Sequence, residues 1–192
     1  TYKGNIYVVP VEGGRALQLT TNPEYDSDPI WTPDGKSIIF SSYREKSKDI
    51  YKVSAEGGTP VRLTSHSVNE TPLEVMKDGS VLFTANTQQD VLYGDFPGTA
   101  QLYMVGPDGG KAVQVTSLPV SNISVSEGAD GVKVIYEDYK GYEDPWRKHH
   151  TSSVTHDIWI YEPSEDKLSD PISINGNGKF TKLTAFEGED RN

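Results

Sequence analysis

The 192-residue sequence contains no cysteine and no apolar run of the roughly 18 residues that a membrane-spanning helix needs. The first absence excludes disulfide bonds and Cys-ligated zinc, although it does not fix the cellular compartment. The second predicts that no segment spans a membrane. Basic residues are also few, 18 against 28 acidic ones, and the net charge is −10. Because nucleic acids and anionic lipids bind clustered Lys and Arg, we expect neither as a partner.

Motifs of catalysis and cofactor binding are missing as well. The sequence has no Gly-x-Ser-x-Gly elbow, no Gly-x-Gly-x-x-Gly and no Lys-terminated phosphate loop. We therefore predict no catalytic residue and no cofactor in this chain. Aromatic residues are plentiful, with three Trp, eleven Tyr and five Phe, which argues against a disordered chain.

A short pattern repeats four times along the chain. Each copy has an apolar run and, further on, an apolar-Thr pair, and in the first three copies a diglycine lies between them. Glycine supplies the positive φ of a tight turn, so the diglycines predict antiparallel hairpins. The runs are Asn5–Val8, Asp49–Val53, Gln101–Val105 and Asp157–Ile160; the pairs end at Thr20, Thr64, Thr116 and Thr184; the diglycines begin at Gly13, Gly57 and Gly109.

A second hairpin pattern completes each unit. Asp-Gly turns at Asp34, Asp78 and Asp130 precede runs rich in β-branched and aromatic residues. One unit is thus four strands over about 44 residues, the size of a propeller blade. The sequence predicts an all-β fold, a β-propeller of four-stranded antiparallel blades, with no amphipathic helix of three turns.

The phase of the repeat predicts where each blade lies. Residues 1–192 would form a single propeller fragment: a half blade at 4–20, blades at 22–64, 66–116 and 118–184, and a linker to the next blade at 185–192. About three and a half blades cannot close a ring, so we expect open blade faces that promote self-association. Trp31, Phe40, Phe83 and Tyr136 should face the core between blades. Strands are expected at residues 5–10, 16–20, 37–42, 48–53, 61–64, 80–84, 101–105, 112–116, 132–137, 157–161 and 179–184.

The repeat resembles that of TolB-type propellers at Asp28–Gly35, Ile39-Phe40, Asp49–Tyr51, Gly57-Gly58 and Leu63-Thr64. Residues 136–161 are similar to the N-terminal propeller of tricorn-type peptidases. Two stretches depart from the pattern: residues 73–77 replace the expected Trp-Ser/Thr-Pro, and an insertion runs through residues 163–179.

The tricorn resemblance implies a non-catalytic propeller that channels or gates peptides to a downstream serine peptidase domain. The parent would then be a hydrolase whose nucleophile lies outside this chain. Its partners would be peptides and the remaining parent domains, in the cytoplasm or, by analogy with exported relatives, in the periplasm. The alternatives are a TolB-like protein-interaction scaffold and a polysaccharide-active propeller enzyme, because one fold hosts many functions.

The polar stretch at residues 139–156 carries the candidate recognition loop, which consists of Tyr142, Trp146, Arg147, His149 and His150. The alternative is that Trp146 packs this loop onto its own blade. His149, His150 and His156 are the only clustered histidines, but adjacent residues of an extended chain point to opposite sides. We therefore expect no metal site.

Other reactive residues are better explained by local structure. Neighbouring carboxylates such as Asp26 with Asp28 do not provide the separated pair that glycoside hydrolysis needs, and we interpret them as turn caps or solvated rim residues. Ser65, His66 and Asp78 could be drawn together as a triad, but any chain of this length offers such trios. The further carboxylate pairs are Glu137 with Asp138, Glu143 with Asp144, and Glu187 with Glu189 and Asp190.

Overall fold

The computed structural model describes residues 1–86, 100–129, 131–138, 157–163 and 178–184, and these contain strands but no helix. None of the described segments is a helix that could cross a membrane. The strands are β1 Tyr7–Val8, β2 Leu17–Gln18, β3 Asp26–Trp31, β4 Ser37–Glu45, β5 Ser47–Ser54, β6 Val61–Arg62, β7 Glu70–Val75, β8 Val81–Ala85, β9 Gln101–Val105, β10 Val113–Gly128, β11 Gly131–Asp138, β12 Ile158–Glu162 and β13 Lys179–Lys182.

The chain forms two compact units. Unit 1 comprises Thr1–Thr87 and Tyr103–Val113, and unit 2 comprises Gln88–Leu102 and Gln114–Asn192. In unit 1 the strands β3, β4, β5 and β6 form one antiparallel four-stranded sheet in sequence order, and β1 pairs with β2 in a smaller sheet. This confirms the predicted all-β fold and its four-stranded, propeller-type blade.

The turn between β3 and β4 shows how the Asp-Gly pattern produces a hairpin. Gly35 has a φ of 67°, which a side chain would disfavour. Asp34 Oδ1 accepts hydrogen bonds from Thr32 Oγ1 at 2.6 Å and from the Lys36 N–H at 3.0 Å. These bonds hold the pKa of Asp34 below its usual value, with the Thr32 hydroxyl as the largest cause. The turn is therefore fixed by local chemistry that the sequence displays.

The core of unit 1 lies on both faces of the four-stranded sheet. One face packs Ile38, Phe40, Tyr51 and Val53 against Ile6 and Leu19. The opposite face packs Ile39, Ile50 and Leu63 against Val75, Val81 and Phe83. Alternation along β4 explains this division, because Ile38 and Phe40 point one way and Ile39 the other. Full burial of one such side chain stabilises the fold by about 1.5–3 kcal/mol.

Unit 2 contains an antiparallel succession of β10, β11, β12 and β13. The pairs Ile135–Ile160 and Tyr161–Phe180 lie directly opposite each other across neighbouring strands. The Tyr161 and Phe180 rings lie 4.7 Å apart between centroids, and burial raises the pKa of Tyr161. Strand β10 is 16 residues long and continues well beyond the predicted end at residue 116.

The predicted strands are present, and Phe40, Phe83 and Tyr136 are buried as expected. The prediction for Trp31 is wrong, because its side chain is 52% exposed. Strands β3 and β7 lie outside the predicted strand set. Both begin with polar residues and a proline and contain a register shift, which hides the period-two pattern of a strand.

Candidate functional site

Three of the four repeats end in a threonine that ties the outer strand to the preceding strand. The threonine hydroxyl oxygen accepts a hydrogen bond from the backbone N–H of the first apolar residue of that strand. We name this contact the threonine lock. It joins Thr20 to Ile6 at 3.0 Å, Thr64 to Ile50 at 2.9 Å and Thr184 to Ile158 at 3.0 Å. A buried N–H without such a partner is costly, so the lock accounts for the apolar-Thr pattern of the sequence.

In three repeats a side-chain pair joins the two outer strands, and its chemistry differs between these repeats. The three pairs are Arg62 Nη2 with Asp49 Oδ2 at 2.8 Å, Gln114 Nε2 with Gln101 Oε1 at 2.8 Å, and Lys182 Nζ with Asp157 Oδ2 at 2.8 Å. An amide pair stands in one repeat where the others have an ion pair. This pair of positions therefore needs two side chains that can bond to each other, and not a particular charge. Such a requirement indicates a structural role.

Glu70 lies beside the lock of Thr64 and is 1% exposed. The Thr64 hydroxyl donates a hydrogen bond to its carboxylate. Burial is the main cause that raises the pKa of Glu70 to about 7, and the nearby Asp49 carboxylate raises it further, against the opposing effects of Thr64 and Arg62. Burial also raises the pKa of Asp49, which is fully buried. Arg62 forms an ion pair with Asp49, and its charge alone acts on Glu70.

Asp26 occupies the same place as Glu70 at the start of its sheet. It pairs with Ser42, two residues after Phe40, as Glu70 pairs with Ala85, two residues after Phe83. The Asp26 carboxylate forms an ion pair with Arg44, whereas no such pair is described for Glu70.

Arg44 Nη2 donates to both oxygens of Asp26, at 3.0 and 3.1 Å. The same guanidinium lies 4.6 Å from the Tyr51 ring centroid and 5.5 Å from that of Phe40. This arrangement satisfies a fully buried charge, so our interpretation of Asp26 as a turn cap or solvated rim residue is wrong.

Lys48, Asp28 and Thr71 form a partly exposed polar cluster near the start of β3 and β7. Lys48 Nζ lies 2.6 Å from Asp28 Oδ2 and donates to Thr71 Oγ1 at 3.0 Å. Asp28 adopts a φ of 51°, a conformation that non-glycine residues rarely take. Burial acts to raise the pKa of Asp28, but hydrogen bonds from Lys48 and Ser27 outweigh it and hold the pKa below its usual value. Lys48 therefore links the first strands of two successive sheets.

The predicted recognition and metal residues, Tyr142, Trp146, Arg147, His149, His150 and His156, lie outside the described residues. Within the described part of the chain, no three His, Asp or Glu side chains are placed to hold a metal ion.

The residues of the hypothetical triad have separate local roles. The His66 carbonyl accepts a hydrogen bond from Ser47 Oγ, and Asp78 caps its own turn by accepting from the N–H and hydroxyl of Ser80. Neither contact prepares a nucleophile.

Glu70 is the residue that sequence reasoning missed. A signal for it exists, since Glu70 follows Thr64 by the same six positions that separate Asp26 from Thr20. Three carboxylates of unit 1, Asp26, Asp49 and Glu70, are buried and bonded to neighbouring strands. They are suited to hold strands together rather than to meet a substrate.

The chain matches the Tricorn protease N-terminal β-propeller domain family over residues 1–185. It is 24% identical over 161 residues to Tricorn protease homolog 1 of Streptomyces coelicolor, covering 83% of this chain and 14% of that protein. It is 43% identical over 54 residues to the Tol-Pal system protein TolB of Bordetella pertussis, covering 28% of this chain and 12% of TolB.

The fold is similar to a crystal structure of the tricorn protease, with a TM-score of 0.62 and 18% identity over 97% of this chain and 17% of the other. The chain thus spans about one seventh or less of the length of these two curated relatives.

Proposed function

Because the chain belongs to the Tricorn protease N-terminal β-propeller domain family, we propose that it is a non-catalytic propeller domain that channels or gates peptides on their way to a downstream protease domain. The observation that carries this proposal is the family match over residues 1–185. The similarity to Tricorn protease homolog 1 over 161 residues supports the same assignment.

The chemistry of the described residues supports a non-catalytic role. Acid–base catalysis requires a titratable group within reach of the substrate. Glu70 has a suitable pKa of about 7 but is 1% exposed and bonded to Thr64. Asp26 is buried against Arg44. Both groups are buried in the blade and cannot reach a peptide, so surface loops would make the contacts with peptides.

Residues 139–156 are the segment that we assign to peptide selection. They combine aromatic, basic and imidazole side chains in one polar stretch between β11 and β12. The net charge of −10 favours the approach of peptides with basic residues, an effect that salt should screen.

Deletion of residues 139–156 in a protein that carries both the propeller and the protease domain tests this role. We expect the preference for peptide length to change while cleavage of a small fluorogenic substrate stays the same. The matched control replaces residues 164–177 by a Gly-Ser linker of equal length. An unchanged length profile after the deletion would exclude the loop as a filter. Peptide turnover by the pure 192-residue chain would refute the non-catalytic assignment.

A second function is supported by the 43% identity to TolB over 54 residues. In this alternative the propeller is a scaffold for protein–protein interaction. Removal of the propeller from the longer protein distinguishes the two. If the propeller is a scaffold, its removal should leave peptide cleavage and length preference unchanged. It should abolish complex formation with a protein partner.

A further inference from the structure

A groove of about 390 Å³ lies at one end of the four-stranded sheet of unit 1. Its floor is the face of β4, β5 and β6 near the start of β4, and one wall is the turn between β9 and β10. This volume falls in the range of about 300–1,000 Å³ that is typical of small-molecule sites. The lining residues belong to unit 1, and none of them takes part in a threonine lock or is one of the buried carboxylates.

The register of the sheet places the floor residues on one face. Ser37 of β4 lies opposite Ser54 of β5, and Lys52 of β5 lies opposite Val61 of β6. Because side chains two residues apart on a strand share a face, Ser54 and Lys52 point the same way. The Thr59 side chain, two residues before Val61, also lines the groove. The floor therefore presents hydroxyl groups, an ammonium group and an apolar side chain.

The wall of the groove is fixed by two glycines of the β9–β10 turn. The Gly110 N–H donates a hydrogen bond to the Leu63 carbonyl oxygen at 3.3 Å. Gly109 has a φ of 83°, and a Cβ atom there would lie 2.8 Å from the same oxygen. Only glycine permits this approach. The turn therefore holds Pro107 and Asp108 beside the floor, and the groove is preformed.

The groove contains one positive and one negative side chain, Lys52 and Asp108. Neither forms an ion pair with another described residue. Lys52 Nζ donates to the Pro107 carbonyl at 3.3 Å, which leaves further N–H donors on the ammonium group. Among the groups that lower the pKa of Asp34, the Thr32 hydroxyl has the largest effect and Lys52 the smallest, so Asp34 does not neutralise the lysine.

The apolar part of the groove is open to water. Val61 lies in the same row across the sheet as Lys52 and Ile39. Ile39 is 1% exposed, whereas Val61 is 58% exposed. Pro107 of the wall adds a second apolar surface. An apolar group placed between them would be removed from water, which favours binding.

We propose that this groove binds a free α-amino acid with an apolar side chain, such as leucine, as a zwitterion. The ligand carboxylate bonds to Lys52, its ammonium group bonds to Asp108, and its side chain lies against Val61 and Pro107. A purely anionic ligand fits less well, since the groove contains a carboxylate and the chain has a net charge of −10. This site uses other residues than 139–156 and goes beyond the proposed function.

Titration of the 192-residue chain with L-leucine, L-leucinamide and N-acetyl-L-leucine tests the zwitterion. The amide lacks the negative charge of leucine and the acetyl derivative lacks its positive charge. We expect leucine to shift the NMR signals of the Val61 methyl groups and the Gly109 amide. Each derivative should bind about fivefold more weakly, the upper range for an exposed ion pair. Equal affinities for the three compounds, or tighter binding of glucose than of leucine, would overturn the proposal.

Two variants test the two charges separately. Lys52→Gln should weaken leucine binding by about fivefold and leave the affinity for leucinamide within about twofold. Asp108→Asn should weaken leucine binding to the same extent and spare N-acetyl-leucine. Arg15→Gln, which is exposed and outside the groove, is the matched control, and melting temperatures check the fold. Wild-type affinities in both variants, or an equal loss for all three compounds, would show that the groove does not recognise a zwitterion.

Discussion

Glu70 differs from Asp26, its counterpart in the neighbouring sheet, in having no arginine on the adjacent strand. In the sequence, the residue four positions after the phenylalanine is Arg44 in one repeat and Thr87 in the next. The Glu70 carboxylate accepts a hydrogen bond from the Thr64 hydroxyl, while Arg62 forms its ion pair with Asp49. Because burial disfavours its charged form, this carboxylate holds a proton up to about pH 7.

The raised pKa of Glu70 predicts a pH-dependent stability. Its folded-state pKa of about 7 exceeds the ordinary value of 4.5, so its favourable contribution is fully present below about pH 4.5 and is lost as the pH rises through 7. Glu70→Gln should remove this dependence and raise the free energy of unfolding at pH 8 by about 1–2 kcal/mol, after allowance for solvent screening.

Urea unfolding of the wild type and of Glu70→Gln between pH 4.5 and 8 measures this effect. The exposed Glu12→Gln is the matched control and should follow the wild type. A constant difference between wild type and Glu70→Gln across this pH range would contradict the assignment.

At the scale of the element, the threonine lock explains how very short strands stay in place. Strands β2 and β6 have two residues each, too few for backbone pairing alone to hold them. A lock adds a contact at the end of both hairpins, and the ion pair of Arg62 with Asp49 adds another beside β6. The Gly-Gly turn and the apolar-Thr pair are therefore parts of one device, a hairpin closed at both ends.

Thr64→Val tests the lock. Valine has the same shape but leaves the Ile50 N–H and the Glu70 carboxylate without the hydroxyl, so we expect a loss of about 2–3 kcal/mol in the free energy of unfolding. Thr64→Ser keeps the hydroxyl and should lose less than about half as much. Similar losses for the two variants, measured by urea unfolding, would show that packing of the methyl group rather than the lock stabilises the hairpin.

At the scale of the whole molecule, apolar side chains remain at the surface of both units. In unit 2, Ile135 and Leu183 are exposed, and Ile135 lies opposite Ile160 on one face of β11 and β12. Contiguous apolar surface of this kind promotes association. The acidic net charge opposes it, so association should strengthen as salt screens the repulsion.

We therefore keep the sequence-based prediction that the chain self-associates, and we assign it to the face of β11 and β12. Sedimentation equilibrium should show an average mass that rises with protein concentration and with salt. Ile135→Lys should weaken the association, and Lys133→Ile, which adds apolar surface two residues away on the same face of the strand, should strengthen it. A monomer at all concentrations, with little binding of a hydrophobic dye, would contradict the prediction.

The sequence by itself determined the local and periodic features of this protein. The Asp34-Gly35 turn, the diglycine hairpins and the burial of Phe40, Phe83 and Tyr136 follow from backbone preferences and side-chain alternation, which act over a few residues. The repeat of about 44 residues in turn determined the type of blade.

Only the tertiary structure decided which of the repeated positions are covered. Trp31 and Val75 occupy the same place in their sheets, yet one is exposed and the other buried, because burial depends on the strands packed against each. The same holds for Asp26 and Glu70. Asp26 forms an ion pair with Arg44, whereas burial raises the pKa of Glu70. These differences arise because electrostatic partners come from strands far apart in sequence.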